Sequence, residues 1–331
     1  MPAIRAFDLH AEPTPVLEAM YRLGMVSERE FWPDRDPIPF NEPSWRVRSP
    51  FRERQDWVIE EGAEVVAHAQ VGFGLTGDNP HVANIGIYVR PDRRRQDFGT
   101  ALRTEAIAEA KRRNRTLALF FTASQVPAGE AFIAPTGAEM SLESRLNRLD
   151  LTKLDPGLVD RMIAAGRERS SGFSLGYWDE GFPEEELDAI ADMFHTMNTA
   201  PRGSLKLNDH RVTADQIREG MKEIRIAKTS RWCLYAREVA TGRLAGFTEV
   251  FWHPERPSLL GQGNTGVLPA YRGHGLGRLL KGMMLERVRR ERPMVRFVET
   301  GNADSNAPML KINTELGFRL HAVFRTWQLA I

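Results

Sequence analysis

The chain has 331 residues, about twice the length of a typical domain, so we expect two domains. Its 45 lysines and arginines balance 44 aspartates and glutamates, which excludes a strong electrostatic pull toward nucleic acid or an anionic membrane. The apolar stretches are too short to span a bilayer, and the N-terminus lacks the regions of a signal peptide. The only cysteine, Cys233, excludes an intrachain disulfide and a thiolate metal cluster, so we expect a cytoplasmic protein without a metal site.

The first half of the chain has the pattern of an α/β unit with a mixed sheet. Extended runs at 57–60 and 65–73 flank Gly62 and predict a β-hairpin. An apolar segment, 85–89, then leads through a Pro-containing turn into a run of helical period, and a second apolar segment, 117–122, follows. Strand, helix and strand in this order predict a βαβ unit with two parallel strands.

The second half repeats this order at a spacing of 178 residues, seen when Val89-Arg-Pro91 is aligned with Val267-Leu-Pro269. Arg94 then coincides with Arg272, and Gly99 with Gly277. A hairpin, a short strand, a helix and a further strand are again predicted, at 233–251, 266–268, 279–288 and 295–300. The repeat predicts two tandem copies of one fold.

Composition places the domain boundary near residues 150–170. We predict an N-terminal domain over 1–155, a linker over 156–169 that contains a short helical piece, and a C-terminal domain over 170–331, which a strand at 173–178 would open. The Pro-rich stretch 31–50 predicts a loop near the entrance of the first domain.

A glycine-rich loop precedes the predicted helix of the second copy, with Gly273, Gly275 and Gly277 in alternation. A helix start presents unpaired N–H groups and the positive end of its dipole, and glycines let the backbone approach phosphate oxygens closely. A P-loop would need Lys-Ser/Thr where Arg278-Leu279 stand, and a dinucleotide fingerprint would need a different glycine spacing. The remaining alternatives are a pyrophosphate site and a tight turn without a ligand.

Two linked motifs resemble those of the GCN5-related N-acetyltransferase (GNAT) superfamily. Arg272-x-x-Gly275-x-Gly277 matches the cofactor motif Arg/Gln-x-x-Gly-x-Gly/Ala, and the segment 300–318, with Asn306 and a closing Leu-Gly-Phe, is similar to the next motif. The resemblance implies an α/β fold with two tandem GNAT acyl-CoA N-acyltransferase domains, as in mycothiol synthase-like proteins, and acetyl-CoA as co-substrate.

The resemblance also implies the residues that bind the cofactor. Asn306 has a second interpretation as an N-cap, and His274 is expected to line the pyrophosphate site rather than to take a proton. The full set is Val267, Leu268, Arg272, Gly273, His274, Gly275, Leu276, Gly277, Arg278, Asn302, Asn306 and Met309.

The first copy departs from the motif, because Asp97 stands where the central glycine belongs. A carboxylate repels pyrophosphate, and its Cβ would crowd the approaching backbone, so we expect weak or absent acetyl-CoA binding there. The basic run 93–95 is interpreted either as a solvated turn or as a weak phosphate site. The N-terminal half would then serve to shape the substrate cleft.

The resemblance implies a mechanism in which two parallel strands splay apart and the pantetheine lies in the gap. A backbone N–H near Val267 or Leu268, of which we favour Leu268, would stabilise the developing oxyanion. For the general base we favour Glu249, with Glu299, His253 and a water chain as alternatives. Glu249 is alternatively a surface partner for an arginine. Many family members have a tyrosine acid where this chain has Asn313, and where the first copy has Ile133.

These patterns predict an N-acetyltransferase whose C-terminal domain transfers an acetyl group directly to an amine of a small molecule in a ternary complex. A non-catalytic acyl-CoA sensor and a protein or peptide N-acetyltransferase are the alternatives. We expect a monomer or homodimer without nucleic acid or membrane partners. The loop 197–205 is expected to overhang the acceptor cleft.

Overall fold

The computed structural model describes residues 3–179 and 181–331. The first half of the chain alternates strands and helices much as predicted, including the hairpin and the βαβ unit. In chain order its elements are β1 (Arg5–Phe7), α1 (Thr14–Phe31), α2 (Glu42–Trp45), β2 (Arg52–Glu61), β3 (Glu64–Gly74), β4 (Val82–Val89), α3 (Phe98–Arg112), β5 (Leu117–Ala123), α4 (Pro127–Ile133) and β6 (Glu139–Asp150).

The second half repeats this succession after one additional helix. Its elements are α5 (Pro156–Arg169), β7 (Phe173–Trp178), α6 (Leu187–Phe194), α7 (Ala214–Ile226), β8 (Ser230–Glu238), β9 (Leu244–Trp252), β10 (Leu259–Val267), α8 (Leu276–Glu291), β11 (Phe297–Ala303), α9 (Ala307–Glu315) and β12 (Arg319–Ala330). Short 3-10 turns, including Pro91–Arg93 and Pro269–Tyr271, connect several of them.

The chain forms two compact units. Unit 1 contains the described residues up to Glu143 together with Gly203–Asn208 and Val323–Ile331, and unit 2 contains Ser144–Arg202 and Asp209–Ala322. In unit 1 the strand order is β1, β2, β3, β4, β5 and the end of β12. In unit 2 it is the end of β6, β11, β10, β9, β8 and β7. The outermost strand beside β5 or β11 therefore comes from the opposite half of the sequence in each unit.

Each unit has its own core between its sheet and a central helix. In unit 1 the buried face of α3 carries Leu102, Ala106 and Ala110. In unit 2 the buried face of α8 carries residues such as Leu280 and Met284. These are the apolar positions of helical period in the sequence, so burial of one helical face drives the packing of both helices.

The central strands of each unit pair in parallel over only part of their length. In unit 2, β10 pairs with β11 from Leu259–Phe297 to Gln262–Thr300, although both strands continue beyond these residues. In unit 1, β4 pairs with β5 only as far as Ile85–Phe120. Their other neighbours pair antiparallel, so both sheets are mixed and the predicted fold class is confirmed. A gap opens between the two parallel strands of each unit.

The structure differs from the predicted domain ranges in two respects. Residues 156–169, predicted as a linker, form α5, whose N-cap Asp155 accepts a hydrogen bond from the Gly157 N–H at 2.9 Å. This helix packs on α8, where a Cβ at Gly166 would lie 2.7 Å from Leu279 Cβ. Unit 1 also contains the segments 203–208 and 323–331, and unit 2 begins at Ser144, so two continuous ranges do not describe the units.

Candidate functional site

The loop before α8 contains two glycines with a left-handed backbone. Gly273 has φ 86°, and Gly275, the N-cap of the helix, has φ 78°. The first bond within α8 runs from the Leu279 N–H to the Gly275 carbonyl at 3.1 Å, so the preceding N–H groups find no acceptor inside the helix. These groups and the positive end of the helix dipole suit a phosphate.

Helix α5 supports this loop from one side. The Arg169 guanidinium donates to the Gly273 carbonyl at 2.7 Å. A Cβ at Gly275 would lie 3.5 Å from Arg169 Cβ, which is an ordinary contact, and at Gly273 nothing lies within 4 Å. A Cβ at either glycine would therefore not clash with the protein. It would take up space only on the side from which a ligand approaches.

Arg272 fastens the loop to the end of β10. Its Nε donates to the Val267 carbonyl at 3.1 Å, and its Nη2 donates to Thr199 Oγ1 at 2.8 Å. The hydroxyl of Thr196 donates to the same carbonyl at 3.3 Å. The guanidinium thus holds the loop in its conformation. Any phosphate contact from Arg272 would come through its backbone.

The other residues of the motif occupy distinct positions. Leu276 is buried in the core, so only its backbone is available to a ligand. Gly277 lies close to β10 and α9, His274 is exposed beside the ring of Phe173, and Arg278 forms an ion pair with Glu315 of α9 at 2.6 Å.

The two amides considered for the oxyanion point in opposite directions. The Leu268 N–H donates to the Ala245 carbonyl at 2.9 Å and is occupied by the connection to β9. The assignment of Leu268 as the oxyanion donor is therefore wrong. Because backbone groups alternate along an antiparallel strand, the N–H of Val267 points to the opposite side, into the gap between β10 and β11.

Helix α9 begins at the second motif. Asn306 is its N-cap, with the side-chain oxygen accepting a bond from the Met309 N–H at 3.4 Å, so the capping interpretation holds. Asn302 lies on β11 beyond the residues that pair with β10, and it accepts a bond from Asn313 at 2.7 Å. Asn313 is buried and accepts a bond from Lys281 of α8 at 2.7 Å.

Glu249 is buried and its carboxylate is held on both oxygens. Oε2 accepts bonds from the Arg231 guanidinium at 2.9 and 2.5 Å, and Oε1 accepts bonds from the side chain and backbone of Asn264 at 2.9 and 3.3 Å. Asn264 lies in the irregularity of β10 between Gln262 and Thr265. The structure favours the arginine-partner interpretation, with the pair buried rather than on the surface.

The alternative bases are also engaged. Arg148 donates to Glu299 Oε1 from Nε at 2.8 Å and from Nη2 at 2.6 Å, and His321 lies 4.0 Å from the same oxygen. The ring of His253 interacts with the Ala227 carbonyl and the Glu255 N–H. His253 follows Trp252, which pairs with Leu260, so it lies at the end of β9 away from Val267.

Three glycines shape β10 beside these acidic residues. A Cβ at Gly263 would lie 2.8 Å from Glu249 Cγ, and at Gly266 it would lie 2.5 Å from Thr196 Cγ2. Gly261 pairs with Glu299. Met197, the start of the predicted overhanging loop, and the preceding Thr196 thus lie against Gly266 of β10, whereas the Ser204 N–H donates to the Ser141 carbonyl within unit 1.

Unit 1 keeps the same loop geometry without the glycines. Arg95 has φ 63° and Asp97 has φ 60°, at the positions of Gly273 and Gly275. Arg94 repeats the fastening contact, since its Nε donates to the Val89 carbonyl at 3.2 Å. The side chains at the loop differ between the units, whereas the backbone path is retained.

A buried ionic cluster in unit 1 was not predicted. Asp56 lies 2.6 Å from His68 Nε2, and Arg54 donates to both of its oxygens. Burial raises the pKa of Asp56, but the bonds from His68 and Arg54 outweigh it and hold that pKa below its ordinary value. Burial lowers the pKa of His68. The contact between Asp56 and His68 depends on the register of β2 and β3, so no local sequence motif predicts it.

No group of histidine, cysteine or carboxylate side chains within 3–179 and 181–331 could hold a metal ion. No helix in these ranges has both the length and the apolar character needed to cross a membrane.

The mixed sheet, the gap between its parallel strands and the loop at the start of α8 are the features that the resemblance to N-acyltransferases led us to expect. Residues 17–132 match the model of the acetyltransferase (GNAT) family, in the half of the chain that carries Asp97. A comparison with curated protein sequences found no match.

Solved structures match over the whole chain. A tandem GNAT protein from the clavulanic acid biosynthesis pathway, without acetyl-CoA, has 27% identity and a TM-score of 0.81 over 99% of this chain and 98% of that one. A GCN5-related N-acetyltransferase from Sphaerobacter thermophilus has 16% identity and a TM-score of 0.66 over 99% and 95%. The latter shows the fold alone. Residues 17–132 thus match the GNAT family, and the whole chain is similar to a tandem GNAT protein.

Proposed function

We propose that the protein is an N-acetyltransferase that transfers the acetyl group of acetyl-CoA directly to an amine of a small molecule, with unit 2 as the working unit. The observation that carries this proposal is the position of the Gly273–Gly275 loop. It lies at the start of α8, immediately after the strand whose Val267 N–H faces the gap beside β11. Phosphate binding and acyl positioning would thus be combined in one unit.

Unit 2 is preferred over unit 1 because of charge. The N-cap of α8 is Gly275, whereas that of α3 is Asp97, whose carboxylate would stand beside the pyrophosphate. Two like charges at 4 Å cost about 1 kcal/mol in water and about 4 kcal/mol near a protein surface. This difference favours one strong acetyl-CoA site in each chain.

Within unit 2 the backbone supplies the main contribution to transfer. The Val267 N–H would donate to the thioester oxygen as negative charge develops there, and the Arg272 and Thr196 bonds fix the neighbouring carbonyl in place. Glu249 would act as a positioning residue, because its bonds to Asn264 hold the irregularity in β10 near the point where the strands separate. We assign the proton of the amine to water and not to Glu249.

The acceptor is proposed to lie over the glycines of β10. These glycines lie beside Glu249 and Glu299, and each of the two carboxylates is already paired with an arginine. Because both carboxylates are neutralised by arginines, this surface suits a small amine better than a long cationic peptide. The similar tandem protein of the clavulanic acid pathway supports a small-molecule acceptor. Cytoplasmic location and a monomeric or homodimeric state stay predictions.

Calorimetric titration of acetyl-CoA into the full-length protein tests the proposal. One site per chain is expected, followed by release of CoA thiol when amines are supplied. Two equivalent sites would contradict the preference for unit 2. Binding without thiol release against a broad panel of amines would support the sensor alternative, and no binding would contradict the use of acetyl-CoA.

A further inference from the structure

A chain of polar side chains runs through the interior of unit 2. Lys281 Nζ donates to Asn313 Oδ1 at 2.7 Å, and Asn313 Nδ2 donates to Asn302 Oδ1 at 2.7 Å. Lys281 is 2% exposed and Asn313 is 1% exposed, whereas Asn302 is only partly buried. Asn302 lies beyond Thr300, the last residue of β11 that pairs with β10. The chain therefore leads from a buried amine toward the gap.

The fold does not require these polar side chains, because unit 1 has an apolar residue at the position equivalent to Asn313. Thr300 and Phe120 are the last paired residues of β11 and β5, and Asn313 and Ile133 follow them at the same spacing. Ile133 is 2% exposed and lies in the core of unit 1. The position of Lys281 is taken by Arg103, whose guanidinium lies over the Phe132 ring.

Two further positions show the same substitution of polar for apolar residues. Thr300 pairs with Asn147 in unit 2, and the equivalent pair in unit 1 is Phe120 with Trp327. Thr300 and Asn147 are both buried, and Asn147 Nδ2 has no hydrogen-bond partner among the described residues. At these two positions unit 2 thus has buried polar side chains where unit 1 has aromatic ones.

Burial makes the amine of Lys281 unusual. Burial is the only contribution to the lowering of its pKa, to about 7, and the ring of Phe318 lies 5.6 Å from Nζ. The ion pair between Arg278 and Glu315 joins the same two helices and lies nearer the surface. Burying an amine costs free energy, so its retention at a site where the fold accepts apolar residues indicates a function.

We propose that Lys281, Asn313 and Asn302 form a donor chain that holds the Asn302 amide against the sulfur of the departing CoA and stabilises it as a thiolate. The inference rests on the proposed function of unit 2. As the N–C bond forms and the C–S bond breaks, the electron pair of the C–S bond goes to sulfur and the amine proton goes to water. No proton passes through the amides.

The chemistry follows from the direction of the bonds. With Asn313 Oδ1 accepting from the amine and Asn313 Nδ2 donating to Asn302 Oδ1, the Asn302 Nδ2 group remains as the donor at the end of the chain. A cation at the start polarises each following bond and strengthens the last donor. Lys281 and Asn313 are positioning residues, and Asn302 is the group that would touch the ligand.

The test compares CoA with desulfo-CoA, which lacks the sulfur, by calorimetry on the full-length protein at about pH 7, where the pKa of Lys281 still leaves a substantial part of its amine charged. The wild type should prefer CoA by about tenfold, the size of a hydrogen bond to a charged group. Lys281→Met and Asn313→Ile, the latter copying unit 1, should lose the preference while keeping the affinity for desulfo-CoA. The ultraviolet absorbance of bound thiolate should fall in both variants.

The outcomes separate this inference from the proposed function. An equal preference for CoA in the wild type and both variants would overturn the donor chain and leave the proposed function standing. Failure of the wild type to bind either ligand would overturn the proposed function itself. Retained affinity for desulfo-CoA shows that a variant is folded, and if one variant fails to fold the other still decides the result.

Discussion

Asp97 and Gly275 have the same backbone conformation at the N-caps of α3 and α8, with φ 60° and ψ 6° at Asp97 and φ 78° and ψ −1° at Gly275. Aspartate and asparagine are among the few non-glycine residues that adopt this left-handed region readily. The two loops therefore differ less in shape than their sequences indicate. The carboxylate is the difference that bears on phosphate binding.

Gly275→Asp should weaken acetyl-CoA binding at least about tenfold, because a negative charge is added beside the phosphates at an unchanged backbone conformation. Gly275→Asn is the matched control, since it adds a side chain of the same size without charge and should bind more tightly than the aspartate variant. Calorimetric titration measures both. Equal losses in the two variants would attribute the effect to bulk.

Asp97→Gly should raise the affinity of unit 1 for acetyl-CoA and increase the number of sites per chain from one to two. Unit 1 already has the gap between β4 and β5 and the Arg94 contact to the Val89 carbonyl. Asp92→Gly, which removes a carboxylate of the preceding turn, is the control and should leave the stoichiometry at one. An unchanged count for Asp97→Gly would show that unit 1 lacks more than charge compatibility.

Glu249→Gln should lower the free energy of unfolding, because it leaves the largely buried guanidinium of Arg231 without its carboxylate partner. Removal of one partner from a buried ion pair costs about 3–5 kcal/mol, and we expect the lower end since the amide keeps some hydrogen bonds. Glu315→Gln, in an exposed pair, should cost about 0–1 kcal/mol. Denaturant unfolding measures both.

The same variant distinguishes a positioning role from a catalytic base. If Glu249 holds β10 in place, the rate of transfer should fall without any change in the shape of its pH profile. Loss of the acidic limb of the profile would restore Glu249 as the base.

The stability of unit 1 should depend on pH through His68. Burial lowers the pKa of His68, so below about pH 6.5 the unfolded chain binds a proton that the folded state does not. The free energy of unfolding should therefore fall as pH drops below about 6.5, down to the lowered pKa. The pKa of Asp56 is also lowered, so its contribution is lost only below about pH 4.

His68→Gln should flatten this pH dependence, whereas His274→Gln, at an exposed histidine, should leave it unchanged. Unfolding curves of the wild type and both variants, measured from about pH 5 to about pH 8, provide the comparison. A slope that persists in the His68 variant would assign the effect to another group.

Local sequence predicted what depends on short segments. The repeated strand, loop and helix, the glycines of the α8 loop and the N-cap at Asn306 all follow from neighbouring residues, and the structure has them at these positions. The helix at α5 was also within reach, since Asp155 followed by Pro156 is a typical helix start. The sequence predicted only a short helical piece in a linker, whereas the helix extends over the whole segment.

The features that the sequence could not predict depend on strand register and on packing between elements. Whether Val267 or Leu268 directs its N–H into the gap depends on how β10 pairs with β9. The partnership of Glu249 with Arg231 depends in the same way on the pairing of β8 and β9. The buried position of Lys281 depends on how α8 packs in its unit, and a lysine in a helix ordinarily indicates a solvated face.

The exchange of terminal strands has a consequence for how this protein arose and how it can be divided. The strand beside β5 is β12, which comes from the second repeat. The strand beside β11 is β6, which comes from the first. A polypeptide cut between the two repeats would give fragments that each carry a strand belonging to the other and lack their own. Duplication of an ancestral gene would therefore have tied the two copies together, so that neither could afterwards be lost or shuffled as a separate module.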